Sequence, residues 1–423
     1  MEVRPGFKQT EAGVIPSDWN VKPIIDCCEY ADYRGKTPPK TQSGTFLVTA
    51  RNVRKGIIDY VESQEFVPSA LYDQIMRRGK PLIGDVLITT EAPLGNVAQI
   101  DREDVALAQR IIKYRPKSDH LSSTYLKHYF LSDRFQQILD DHSSGSTAKG
   151  IKGRVLHQLP VVLPSPAEQL AIAAALSDVD ALLGALDRLI AKKRDLKQAA
   201  MQQLLTGQTR LPGFHGDWEV KRLGHLGSTF GGLTGKTKAD FGEGEARYIT
   251  FMNVMSNVVI DCGTFEQVQV SLTESQNRAK KGDLFFNGSS ETPEEVAMCA
   301  VLLDVVRDVY LNSFCFGFRF HDGAEADGLF MAYYLRSNEG RELMKSLAQG
   351  STRYNLSKVA LLKSPLRLPK LPEQTAIAEV LTEMDGELAV LEQRREKTRA
   401  LKQGIMQELL TGKTRLISFP EES

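Results

Sequence analysis

Two stretches of this chain carry apolar residues at alternating steps of four and three, in the same phase, about 205 residues apart. In the first the stripe runs Ile172, Leu176, Val179, Leu183, Leu186, Ile190; in the second, Ile377, Leu381, Met384, Leu388, Leu391. That spacing predicts two helices with coiled-coil seams. Each stripe then meets charge (Lys193; Arg395) and resumes shifted, through Leu196, Met201 and Leu204, or Leu401, Ile405 and Leu409. Ser165-Pro166-Ala167-Glu168 predicts a capping box at the start of the first helix, with proline at the first helical position. Leu204-Leu205-Thr206-Gly207-Gln208-Thr209-Arg210-Leu211 returns as Leu409-Leu410-Thr411-Gly412-Lys413-Thr414-Arg415-Leu416, and Gly207 and Gly412 stand where a glycine closes a helix. Roughly 40 residues at 1.5 Å each make rods of about 60 Å. Matched seams predict that the two rods pair with each other, antiparallel, with a head at each end.

The segments upstream of the two helices agree only at scattered points, but in the same order. Each opens on Asp-Trp (Asp18-Trp19; Asp217-Trp218), then a Gly-Lys-Thr loop (residues 35–37; 235–237), then a β-rich run ending in Asn-Val (Asn52-Val53; Asn253-Val254). Gly84-Asp85-Val86 and Gly282-Asp283-Leu284 lead into apolar strands. Helical segments at residues 122–139 and 328–347 precede Gly-Ser-Thr (145–147; 350–352) and a strand into the long helix. The expected fold is α+β and internally duplicated: two similar mixed α+β domains separated by two long helices that form an antiparallel coiled coil. The boundaries fall at 1–164 (first head), 165–211 (first helical region), 212–370 (second head), 371–416 (second helical region) and 417–423 (tail).

With 423 residues there is room for several cores, and 42% hydrophobic and 25% charged content is that of an ordinary globular protein. The longest apolar stretch, near residues 296–303, is too short to span a bilayer and no signal peptide is expected. Cys27, Cys28, Cys262, Cys299 and Cys315 lack metal-ligand spacing and read as free thiols in a reducing cytoplasm. Balanced charge, 53 basic against 53 acidic residues, argues by itself against a nucleic-acid binder unless the positive charge is local or partners supply it.

No catalytic pattern stands out: no nucleophile elbow, no His-Glu-x-x-His, no amino-methyltransferase tetrapeptide, no cofactor glycine fingerprint. The Gly-Lys-Thr loops mimic a phosphate-binding loop but lack its leading glycine, with Tyr30 and Phe230 in that place, and Pro38-Pro39 obstructs the helix that should follow. What the polar loops offer is recognition chemistry, since guanidinium and amide groups read base edges and hydroxyls grip phosphates. In the first head the candidates are Arg34, Lys36, Thr37, Arg51, Asn52, Arg54 and Lys55, with Arg77 and Arg78 as phosphate contacts. The second head brings amides and hydroxyls instead, at Asn253, Asn287 and Ser289. Lys149, Lys236, Thr237, Lys238 and Arg353 complete the candidate DNA-contacting set.

From Gly145-Ser-Thr to Glu168-Gln169, and again from Gly350-Ser-Thr to Glu373-Gln374, the chain closely resembles the specificity subunit of type I restriction–modification systems. The resemblance covers essentially the whole chain. Gly35-Lys36-Thr37-Pro38 fits an element of its heads, whereas Gly235-Lys236-Thr237-Lys238 departs from it by lacking the proline. It implies two target recognition domains, each reading one half of a bipartite, asymmetric site on double-stranded DNA, and helices that set the unread gap. It also implies docking of two methyltransferase (modification) subunits that carry S-adenosylmethionine. Restriction/translocase subunits that use ATP and Mg would join them, and the chain itself would hold no cofactor or metal and do no catalysis. The residues alone leave open a two-headed coiled-coil adaptor that binds proteins, and an enzyme of unrecognised type. Within the family, a related system with a fused methyltransferase-nuclease partner is the alternative.

Overall fold

The computed structural model describes residues 4–33, 37–118, 120–145, 149–271 and 273–417. The chain forms two compact units, residues 1–187 with 393–423, and residues 188–392. Each unit holds one head together with a part of each of two 39-residue helices, Pro166–Leu204 and Leu371–Leu409.

The helices pair antiparallel in both units. In the first, Arg395 lies 3.4 Å from Asp187 and Lys402 2.5 Å from Asp180, partner numbers rising on one helix as they fall on the other. In the second, Lys193 reaches Glu387 at 2.5 Å and Lys197 pairs with Asp385. The seam is buried at Ile172, Leu176, Leu186, Ile190, Ile377, Leu381 and Leu388, and half-buried at Val179, Leu183, Met384 and Leu391. The expected resumption needs correcting: Leu196 is 47% and Leu401 60% exposed. Long cations occupy the strip there, and Thr398, which donates to the Arg394 carbonyl, is buried beside them. The capping box is also only half formed. Ser165 Oγ accepts the Glu168 N–H at 3.3 Å, but the Glu168 carboxylate is used elsewhere. One window of helix Pro166–Leu204, of mean hydropathy 1.5, is long and apolar enough to cross a membrane, contrary to the expectation above. Ile172, Ala173 and Leu176 of that helix are instead part of the core of the first head.

The heads share one plan. The first has a four-stranded antiparallel sheet in the order Cys28–Asp32, Ile111–Pro116, Val86–Thr90, Leu94–Gln99; the second repeats that order with Gly227–Gly231, Cys315–Phe320, Leu284–Asn287, Cys299–Val301. Beside each lies a smaller sheet whose parallel pair is Thr45–Val48 with Val105–Leu107, or Phe241–Ile249 with Val309–Leu311. The helical segment expected at 122–139 is two helices, Ser123–Leu131 and Asp133–Asp141, and its counterpart is Gly328–Arg336 and Asn338–Ser346. Ser132 and Ser337 break them: each accepts an N–H of the next helix and donates to the last turn of the one before.

Most repeated motif residues converge where helix meets head. Gln169 accepts from Ser122 N–H and donates to the His120 and Pro164 carbonyls, and Gln374 makes the same three bonds with Asp327, Glu325 and Pro369. Buried Glu168 takes a bidentate guanidinium from Arg415 (2.5 and 2.9 Å) and the Trp19 indole N–H (3.0 Å), while Arg415 also grips Asp18. Buried Glu373 takes Arg210 (2.5 Å, twice), which lies over Trp218. Gly207 (φ 72°) and Gly412 (φ 69°) end the helices in the left-handed region, and a Cβ on either would press on Trp218 or on Pro16 and Trp19.

The heads differ beneath the helices. Tyr333 donates to Asp385 at 2.7 Å, and Lys197 meets the same carboxylate. In the first head the matching places hold buried His128, Asp180 and Lys402, with Lys127 3.8 Å from Asp180. His128 Nε2 approaches Ser177 at 3.4 Å and Nδ1 has no hydrogen-bond partner.

Two outcomes are expected. Glu168→Ala takes from Arg415 one of its two carboxylates and from the Trp19 N–H its acceptor, and destabilises the first head by roughly 1–3 kcal/mol; Glu373→Ala takes from Arg210 its bidentate carboxylate and destabilises the second by a similar amount. Each of the two tryptophans marks one joint, so urea unfolding followed by the fluorescence of one, the other replaced by Phe, measures this. Burial, then Lys127 and Lys402, hold His128 down to about 3. The unfolded chain, with an ordinary value of about 6.5, therefore takes the proton first as pH falls. His128 costs nothing above that value and weakens the first head increasingly from there down to about pH 3. His128→Tyr, copying Tyr333, should flatten the fall in urea midpoint between about pH 7 and about pH 5.

Candidate nucleic-acid interface

Strand register decides which loops meet. In the first head Asp32 pairs with Ile112, Thr89 with Ile111 and Thr90 with Leu94, so the loops after Asp32, before Ile111 and after Thr90 share one end of the sheet. Gly150 bridges Glu91, which brings the end of the Gly-Ser-Thr loop there too. In the second head Gly231 pairs with Phe316 and Asn287 with Cys315, gathering the loops after Gly231, before Cys315 and after Asn287. Ser290 pairs with Tyr354, adding the segment from Gly350. The second head thus collects its Gly-Lys-Thr and Gly-Ser-Thr loops on one rim, and the first head brings to the matching rim the described residues that flank those motifs.

The sheets are braced by the Gly-Asp motif. Gly84 (φ 93°) and Gly282 (φ 88°) turn the chain so that Asp85 and Asp283 each cap their own turn, accepting from Leu82 and Lys280 N–H. Each then takes a bidentate guanidinium, Arg115 at 2.7 Å and Arg319 at 2.6–2.8 Å.

The first-head candidates lie mostly on the surface. Arg51, Lys55, Arg77, Arg78, Thr37 and Lys149 are exposed, and Arg54 is half-buried 3.0 Å from Glu62. Arg78 donates to the Asp32 carbonyl at the sheet end, Gln109 donates to Thr37, and Lys149 pairs with Asp140 at 2.6 Å. Arg34 and Lys36 lie outside the described residues. In the second head Lys238 and Arg353 are exposed. Lys236 does not present a free charge: its side chain is 4% exposed against Glu274, whose carboxyl it holds down to about 2. Thr237 shares a reciprocal cap with Asp240 at the start of a short 3-10 turn, so no phosphate-loop helix follows.

The amides are the main correction. Asn52 is fully buried, accepting from Thr49 and donating to the Asp59 and Ser63 carbonyls. Asn253 does the equivalent work with Asp261 and Thr264, and buried Asn287 ties Ser289, Glu295 and Met298. Buried Ser289 accepts from Arg353. The three asparagines spend their hydrogen bonds on holding loops and have none to offer a base edge. Sequence reasoning missed Arg110, Met252 and Phe314 on the same rims; aligning the two heads position by position would have found them. Among the described residues no group of three or more His, Cys, Asp or Glu could hold a metal ion, and all five cysteines are free.

Residues 16–192 and 215–399 match the family described as the type I restriction modification DNA specificity domain. The chain belongs to that family. A type I restriction enzyme specificity subunit of Methanocaldococcus jannaschii, MjaIX, is 32% identical over 184 residues, 42% of this chain and 41% of that one. A putative specificity subunit of the same organism, MjaX, is 25% identical over 97% of both chains. The S subunit of the type I system of M. genitalium shares the fold, with a TM-score of 0.58 at 14% identity over 100% of this chain and 99% of that one. The specificity subunit is thus built as two matching heads, and it is the recognition rather than the catalytic member of its system.

Because Asn52 works inside the fold, Asn52→Ala should lower the stability of the first head by about 1–3 kcal/mol. The salt dependence of DNA binding should stay unchanged, as read by titrating a labelled duplex at several salt concentrations.

Proposed function

We propose that this specificity subunit reads a bipartite, asymmetric sequence on double-stranded DNA, one head per half-site, and docks the subunits that act on it. The observation that carries this reading is the same strand order in two heads whose rims differ in chemistry. Two copies of one scaffold suit two half-sites on a duplex, where separation is a geometric constraint. Different rims suit halves of different sequence. Support comes also from a related fold (TM-score 0.56, 17% identity) in a structure that reports complex assembly and conformational transition of the type I restriction–modification system.

In this reading the heads occupy 1–164 and 212–370. The helical regions 165–211 and 371–416 fix the unread gap and hold two methyltransferase subunits, through which restriction/translocase subunits join in the cytoplasm. S-adenosylmethionine, and ATP with Mg, belong to those partners. Surface cations such as Arg51, Lys55, Arg77, Arg78, Lys149, Lys238 and Arg353 contact DNA, and neutral net charge is offset by what the partners contribute to the clasp.

Mapping N6-methyladenine across the genome by long-read sequencing, with this gene present and deleted, tests the proposal. The expected result is one bipartite, asymmetric motif that vanishes on deletion. If the partners are expressed and no motif is lost, the chain does not direct methylation and the reading fails.

A further inference from the structure

The two rims carry different chemistry at corresponding places of the two heads. In the first head the parallel pair Val48–Leu107 runs out into Thr49-Ala50-Arg51-Asn52 on one strand and Ala108-Gln109-Arg110 on the other. In the second, Ile249–Leu311 runs out into Thr250-Phe251-Met252-Asn253 and Asn312-Ser313-Phe314. The correspondence is fixed by hydrogen bonds: each asparagine, three residues after a threonine, donates its side-chain amide to the carbonyl of an aspartate further along its loop, Asn52 to Asp59 and Asn253 to Asp261. The last residue of each second loop is pinned alike, its carbonyl accepting from the neighbouring strand's loop. Thr90 N–H reaches the Arg110 carbonyl at 2.8 Å, and Gly288 N–H reaches that of Phe314 at 2.9 Å. Arg51 therefore corresponds to Met252, and Arg110 to Phe314.

Backbone hydrogen bonds pin the two second loops, and all four side chains are exposed. Arg110 sits at φ 70°, a left-handed conformation unfavourable for a side-chain-bearing residue, and its guanidinium meets the exposed Glu91 carboxylate at 2.8 Å. Phe314 N–H donates to Asn312 Oδ1 at 2.9 Å, yet Phe314 is 63% exposed and Met252 64%. Large apolar side chains on a fixed backbone, where the sister head places arginines, call for an apolar contact at the same kind of surface.

Resting on the proposed reading of two half-sites, we infer that these four residues are specificity-determining. Arg51 and Arg110 donate to guanine edges and phosphates, whereas Met252 and Phe314 press on apolar parts of the bases, thymine methyl groups above all. Arg110 leaves Glu91 readily for DNA, because an exposed ion pair holds it weakly.

The test uses the full chain assembled with its methyltransferase subunits. The wild-type motif is recovered by N6-methyladenine sequencing, and a duplex carrying it serves as the probe. Phe314→Ala and Met252→Ala should each relax bases in one half-site only and raise Kd roughly 5- to 100-fold, with the slope of log Kd against log salt unchanged. Arg51→Ala and Arg110→Ala should relax the other half-site, and the double variant should lower the slope by up to about 2. Phe314→Arg should raise it by about 1. Unchanged half-site selection and affinity in folded Phe314→Ala and Met252→Ala would overturn the inference. So would loss of the methyltransferase subunits on size exclusion with selection retained, which would assign the patch to a protein partner. A wild-type complex that marks no bipartite motif would instead remove the underlying reading.

Discussion

The arginine–glutamate pair at the root of each long helix is the contact on which the architecture hangs. A carboxylate as buried as Glu168 or Glu373 is tolerated only with a full complement of donors, and a bidentate guanidinium supplies it. The donors come from far along the chain: Arg415 serves Glu168 and Arg210 serves Glu373. Each head is thus closed by the terminal phrase of the other repeat, since Arg210 ends the first helical region and packs in the unit of the second head. That interlocking explains why the phrase is repeated nearly unchanged, and why its glycine is fixed. The glycine ends the helix in the left-handed region close against the tryptophan that shares the arginine.

From that joint outward, the scaffold was legible and the recognition surface was not. Helical periodicity marked both rods because a seam buries side chains at fixed intervals, and the order of motifs marked two α+β heads. Legibility failed where charge replaced apolar packing, at Leu196 and Leu401, since periodicity does not register long cations lying across a helix pair. It failed again at Ser132 and Ser337, where a serine that caps one helix while closing another looks, in sequence, like an ordinary helical position.

The candidate site shows a more general reason. Asn, Ser, Thr and Arg are the residues that read bases, and they are equally the residues that tie loops to themselves. Asn52 and Asn253 have the chemistry to read bases, yet their recurrence in both heads is the sign of a structural role. Gly-Asp behaves in the same way, since Asp85 and Asp283 hold a turn and an arginine rather than a ligand.

In a duplicated recognition protein the two kinds of position therefore separate by comparison of the copies with each other. Whatever must be alike for both heads to fold and to sit on the same helices recurs: Gln169 and Gln374, Glu168 and Glu373, Asn52 and Asn253 holding their loops, the Gly-Asp turn. Whatever differs to suit the proposed reading of two unlike half-sites stands at corresponding positions and diverges in side chain. Arg110 and Phe314 meet that criterion, because the same carbonyl bond holds both while a guanidinium faces solvent in one head and a phenyl ring in the other. An exposed phenyl ring costs solubility and a left-handed arginine costs backbone energy, so neither is explained by stability alone.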